Sequence, residues 1–180
     1  MLFLTVGTQF PFDRLVKAVD DAFNDGLIDE EVFAQIGESS YRPRNFESVA
    51  SLGKKLFDKY MKESSSIISH AWMGTITMAL DNHKPLLAMP RLKKYGEVVN
   101  NHQVAIAKKF EELGHILVAY QEKDLPEKVK ELKGFVPRPR ENQAKAVAAR
   151  ISEFLYKIST SEQRLCCGNI DKAFIKSKNG

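Results

Sequence analysis

Short apolar runs alternate with longer stretches whose apolar residues recur every three or four positions, and this alternation continues from the first residue to about residue 158. Leu2–Val6 is a compact apolar run closed by Gly7, the signature of a buried strand. Phe12–Phe23 follows with Leu15, Val16, Val19, Ala22 and Phe23 at helical spacing. The same reading gives strands at Val32–Ile36, Ser66–Ser69, Leu86–Met89 and Ile116–Tyr120. It gives helices at Phe46–Met61, from Thr75 to Leu80, at Val98–Leu113, at Glu122–Leu132 and at Asn142–Ile158. Strands separated by helices of this length predict an α/β domain with a parallel sheet and right-handed crossovers, spanning residues 1–158. Residues 159–180 are polar and lysine-rich with little periodicity, and read as a basic C-terminal tail.

The architecture directs attention to particular loops. In open α/β sheets ligands bind beyond the carboxyl ends of the strands, so the strand-to-helix loops Gly7–Phe12, Gly37–Asn45, His70–Gly74 and Arg91–Gln103 are the places to look. In the first, Gly7 leaves a strand where the backbone turns, and Thr8 and Gln9 can donate hydrogen bonds near a helix start. Such a loop suits a phosphate or sugar oxygen, and equally a tight turn with helix capping. In Ser69–Thr75 a strand delivers His70 into a loop, and Gly74 and Thr75 open a helix whose free N–H groups and dipole attract an anion such as a diphosphate. His70 fits a ligand contact and a core histidine alike. The third loop gathers Glu97, Asn100, Asn101, His102 and Gln103, carboxylate, amide and imidazole groups of the kind that read sugar and ribose hydroxyls, the alternative being a solvated helix N-terminus capped by Asn100 or Asn101.

Composition narrows the classes. The 180 residues, 43% hydrophobic and 28% charged, suit an ordinary globular domain. A net charge of +4 favours phosphate-bearing ligands or an anionic surface and is too small to argue nucleic-acid binding. No apolar run reaches the ~18 residues of a membrane span. The adjacent Cys166 and Cys167 make no disulfide framework, which predicts a reducing cytoplasm. No second histidine or carboxylate stands at ligand spacing from His102, so no metal site is expected.

Taken together, the order strand–TVGTQ–helix, SHAxxGT–helix and KPLLxMPR…GE…NHQ resembles the C-terminal-domain family of glycosyltransferase family 28, over roughly Met1 to Leu132. The likeness is strongest to stand-alone exopolysaccharide subunits of the PssE type. The soluble subunit of the two-part transferase that adds the second GlcNAc to the dolichol-linked precursor is a eukaryotic relative, and MurG is a more distant one. The resemblance implies a Rossmann-like sheet with helices on both faces, equivalent to the donor-binding C-terminal half of the two-domain GT-B fold. It implies that Gly7, Thr8 and Gln9 face the donor diphosphate, and that His70, Gly74 and Thr75 form the other diphosphate wall. It further implies that Glu97, Asn101, His102 and Gln103 read sugar or ribose hydroxyls. The implied function is that of the UDP-sugar-binding subunit of an inverting transferase that needs neither metal nor cofactor. His70 is then the catalytic candidate on this chain. The general base is expected on a membrane-anchored, acceptor-binding partner subunit that presents a lipid-linked saccharide and recruits this chain to the inner face of the membrane. Trp72 stands where the family has glycine, and Met78 where many relatives have a carboxylate. Trp72 supports a second reading, a non-catalytic enhancer that stabilises a membrane glycosyltransferase.

Overall fold

The structure is a computed structural model that describes residues 1–140, 149–154 and 156. The chain divides into two compact units, residues 1–140 and 141–180. In the second unit, residues 149–154 and 156 are helical and exposed. The rest of the expected helix Asn142–Ile158, the tail 159–180 and both cysteines lie outside the described residues.

In the first unit six strands form one parallel sheet: β1 Leu2–Thr5, β2 Val32–Gln35, β3 Glu47–Val49, β4 Ser66–His70, β5 Leu86–Met89 and β6 Leu117–Val118. Their order is β3-β2-β1-β4-β5-β6, the doubly wound arrangement expected of a Rossmann-like sheet. Five helices accompany it: α1 Asp13–Asn24, α2 Lys54–Glu63, α3 Met73–Asp81, α4 His102–Glu112 and α5 Leu125–Leu132. Strand side chains alternate between faces, so Leu2, Leu4 and Val6 pack with α1 and α5 while Phe3 turns to the side of α2, α3 and α4. On that second side Phe33 stacks on Tyr60 at 4.3 Å, and Phe3 meets Phe57 edge-on at 5.6 Å. The sheet is thus covered on both faces, as parallel sheets require. No helix among the described residues is long and apolar enough to cross a membrane.

Three expected elements change shape. Phe46–Met61 is not one helix: Glu47–Val49 forms an edge strand, and the helix begins only after Gly53. Phe46, Val49 and Leu52 imitate helical spacing, but the backbone of this stretch serves β2 instead. Ile36 and Gly37 donate their N–H groups to Val49 and Ala50 at 2.9 Å, giving the β2 edge a partner. The expected helix from Val98 starts at His102, because a 3₁₀ turn at Lys93–Tyr95, a left-handed Gly96 and the inward pull on Glu97 hold residues 93–101 as a loop. The last strand spans Leu117–Val118 rather than the full run to Tyr120.

Two glycines fix how closely the strand ends approach. Gly7 (φ 73°) and Gly37 (φ 57°) both sit in the left-handed region, and a Cβ on Gly37 would lie 2.5 Å from the Gly7 carbonyl oxygen. Gly26 is also left-handed but has open space around it. Gly37→Ala is therefore expected to cost about 3 kcal/mol, strain plus a backbone clash, and Gly26→Ala about 1 kcal/mol. Urea denaturation of the two variants checks this, and equal destabilisation would contradict it.

Candidate functional site

The switch point of the sheet lies between β1 and β4, whose register pairs Thr5 with Ser69. β1 leads into α1 on one face and β4 into α3 on the other, so their carboxyl ends part and leave a crevice. After β1 the chain turns at Gly7, and the His70 imidazole packs against it. A Cβ on Gly7 would meet His70 Cε1 at 3.1 Å. After β4 the Trp72 N–H bonds back to the His70 carbonyl at 2.9 Å, and α3 begins at once. No side chain caps α3, so the N–H groups of its first turn stay available where Gly74 and Thr75 wall the crevice. α4 also starts at the crevice, but its first N–H, that of His102, donates to Asn100 Oδ1 at 3.0 Å. The result is a cavity of about 510 Å³ lined by Val6, Gly7, Thr8, Gln9 and Phe10, by His70, Trp72, Gly74, Thr75 and Met78, and by Arg91, Val98, Asn100, His102, Gln103 and Phe57.

Arg91 holds these walls together. It is 3% exposed, and its guanidinium donates to four carbonyl oxygens: Nη2 to Val6 (2.6 Å) and Phe10 (2.8 Å), Nη1 to Pro11 (2.8 Å) and Glu97 (3.2 Å). Its plane lies over the Phe12 ring at 4.8 Å. The Arg91 N–H donates to Gln103 Oε1 at 3.1 Å, which occupies the carbonyl end of that amide. One residue thereby ties the β1–α1 loop, the β5–α4 loop and the start of α4.

Beside the cavity lies a second hollow with Arg14, Glu97, Tyr95 and Glu122 in its lining. Glu97 receives Arg14 through Nε (2.8 Å) and Nη2 (3.0 Å) and accepts the Leu92 N–H at 2.9 Å. Burial lowers the Arg14 pKa, but the bond and charge of Glu97, helped by Glu122, outweigh it and hold it above the ordinary value. Further out, the Tyr41–Asn45 loop folds over Asp20, whose carboxylate accepts the Tyr41 hydroxyl (2.7 Å) and the N–H groups of Arg44 and Asn45.

Among the described residues, Arg91 is the one Lys, Arg, Asp or Glu in the cavity lining. Burial brings Arg91 down to about 10, opposed by Glu97, so it stays cationic at neutral pH. Burial, and then the charge of Arg91, press His70 down to about 4, against a backbone hydrogen bond at Thr5. His70 is therefore a neutral imidazole at pH 7 and a poor proton acceptor. The start of α3 and Arg91 together favour an anion.

Of the residues singled out in the sequence, Gly7, Thr8, Gln9, His70, Gly74, Thr75, His102 and Gln103 line the one cavity. Glu97 and Asn101 are absent from that lining. Glu97 belongs to the Arg14 hollow, and Asn101 Oδ1 accepts the Lys93 N–H at 2.9 Å. Arg91 and Asn100 complete the wall. Arg91 was legible only as the start of a polar loop, because its acceptors lie some eighty residues earlier in the chain.

A family model described as the glycosyltransferase family 28 C-terminal domain matches residues 1–159. Among solved structures, the chain is similar to the NMR solution structure of ALG13, at 22% identity and a TM-score of 0.58, with 80% of this chain and 91% of that chain covered. It is similar to the glycotransferase of kitacinnamycin, at 20% identity and a TM-score of 0.53, over 73% of this chain and 34% of that one. It is also similar to MurG from Acinetobacter baumannii, at 20% identity and a TM-score of 0.51, over 72% and 39% respectively. The chain thus spans little more than a third of the latter two, and these likenesses concern the fold. No curated protein sequence matches the chain.

The buried neutral histidine makes a prediction about stability. The unfolded chain takes up a proton near pH 6.5 that the folded chain refuses until about 4. The contribution of His70 is complete above pH 6.5 and is lost as pH falls towards 4, a total on the order of 3 kcal/mol. In urea unfolding at pH 7.5 and pH 4.5, His70→Gln is expected to show a clearly shallower loss of stability than the wild type. An unchanged slope would contradict this.

Proposed function

The chain belongs to the family of glycosyltransferase family 28 C-terminal domains, and from that premise we propose that it is the UDP-sugar-binding subunit of a two-component inverting glycosyltransferase in exopolysaccharide or lipid-linked glycan synthesis. The observation that carries the reading is the cavity at the β1/β4 switch point, with an uncapped helix start, a fixed cation and polar side chains on its walls. The donor diphosphate lies along Gly74 and Thr75, where first-turn N–H groups and the Arg91 charge neutralise it. The sugar points to His102 and Gln103. Since Gln103 Oε1 is taken by the Arg91 N–H, its amide NH₂ is the end left for a sugar oxygen.

Transfer then consists of attack by an acceptor hydroxyl on the anomeric carbon. The bond from that carbon to the diphosphate oxygen breaks, and UDP leaves as an anion stabilised by the same helix start and cation. The hydroxyl proton goes to a base on the acceptor-binding partner, since His70 is too weak a base for that task. His70 contributes packing and hydrogen bonding beside the diphosphate. Glu97 and Asn101 support the wall from behind through Arg14 and the Lys93 N–H. The partner brings the lipid-linked saccharide and the attachment to the cytoplasmic face of the membrane.

One observation favours a second reading. Trp72, 50% exposed, stands in the cavity lining beside Gly74, where it narrows the diphosphate wall. A cleft narrowed in this way suits a subunit that stabilises a membrane transferase without binding the donor. Calorimetric titration with UDP and several UDP-sugars, with and without the partner, separates the two. The donor-binding reading expects Kd values below about 1 mM, and no heat from any of them sinks it. In the same titration Gln103→Ala is expected to weaken the UDP-sugar about tenfold while changing UDP little, the loss of one hydrogen bond to the sugar. Equal weakening of both would assign Gln103 to the scaffold instead.

A further inference from the structure

Buried Arg91 and half-buried Arg14 both lie against the Phe12 ring, and their charges are treated differently. Arg14 has carboxylates: Glu97 at 2.8 Å and Glu122 at 3.5 Å. Arg91 has none within ion-pair distance among the described residues. The nearest candidate, Glu97, turns its carboxylate to Arg14 and offers Arg91 only its backbone carbonyl. Carbonyl oxygens satisfy the four Nη hydrogens of Arg91 but bring no net charge. The Glu97 carboxylate, engaged by Arg14, reaches Arg91 only through space, and burying a guanidinium with no carboxylate in contact is costly.

The geometry says where a counter-charge fits. Arg91 forms part of the same cavity wall as Gly7, His70, Gly74 and Thr75. Its fork is pinned to Val6, Phe10 and Pro11, so it cannot swing out to meet solvent. The charge is held under the crevice before any ligand arrives, in a desolvated wall where salt screens it little. We infer that Arg91 is a specificity-determining residue, whose charge lacks a contacting carboxylate and is complemented by the diphosphate of the ligand, so that the cleft selects nucleoside diphosphates over nucleosides. The inference rests on the nucleotide-binding reading above and assigns its discrimination to one buried side chain. Arg91 acts by its field and by fixing the Gly7–Gln9 loop, since its Nη hydrogens are already used.

The test compares UDP with uridine by calorimetry in four proteins: wild type, Arg91→Met, Arg91→Lys and, as a control, Lys94→Met. Lys94 is exposed on the same loop and lies outside the cavity lining, so its loss changes net charge equally without touching the wall. Arg91→Met is expected to lower the UDP-to-uridine affinity ratio about tenfold or more, and Arg91→Lys and Lys94→Met to keep it within about threefold. A merely structural role would weaken both ligands together and leave the ratio standing, and that result would overturn the inference. A measurement on the wild type alone covers the case in which the variants do not fold. The Arg91 Nε and Cζ resonances are expected to move on addition of inorganic pyrophosphate and not of uridine. If they stay still while pyrophosphate binds, the inference fails. If wild type binds neither UDP nor uridine, the nucleotide-binding reading fails beneath it.

Discussion

Arg91 is the knot on which the site depends. Its guanidinium gathers the end of β1, the loop after it and the turn before α4, joining segments about eighty residues apart in the chain. Its backbone N–H then sets the side chain of Gln103. Hydrogen bonds from a charged donor contribute roughly 1.5–3 kcal/mol each, while burial of the charge costs several kcal/mol. Four such bonds offset that cost, and the main effect of the knot is order. The loop that carries Gly7, Thr8 and Gln9 is held in one position, and a positive charge is held beneath it.

Everything else at the site follows from the sheet. A parallel sheet wound in opposite directions from β1 and β4 must open at its carboxyl edge between them. Gly7 lets the His70 ring lie close against the chain, and Gly37 lets the next strand end touch the Gly7 carbonyl. These close contacts desolvate the crevice floor. Desolvation is also the first cause of the low His70 pKa, with the Arg91 charge adding to it. A floor that is dry, neutral at the histidine and positive at the arginine suits an anion. Trp72, half exposed in the lining, narrows the space beside Gly74.

Much of this was legible in the sequence, for local reasons. The runs at Leu2–Val6, Ser66–Ser69 and Leu86–Met89 are buried on both sides and so read as continuous apolar strands. The strand–loop–helix junctions at Gly7 and at His70–Thr75 announce themselves by glycine and polar residues next to helix starts. What escaped was non-local. Glu47–Val49 reads as helix by spacing and becomes a strand because β2 offers an edge. Glu97 reads as a hydroxyl contact, but the structure buries it against Arg14, eighty-three residues away. Asp20, inside α1, gave no sign that it would anchor the Tyr41–Asn45 loop. Arg91 follows Pro90 in a polar stretch and looks like a surface residue until its acceptors are brought to it.

The central claim is that the crevice between β1 and β4 receives the diphosphate of a nucleotide sugar. Backbone amide shifts in ¹⁵N-labelled protein titrated with UDP test it most directly. The largest changes are expected on Gly7–Phe10, Met73–Thr75 and His102–Gln103, converging on one crevice from three separate loops. Changes centred instead on the hollow of Arg14 and Glu122, or spread over the exposed lysines with none at Gly74 and Thr75, would contradict it.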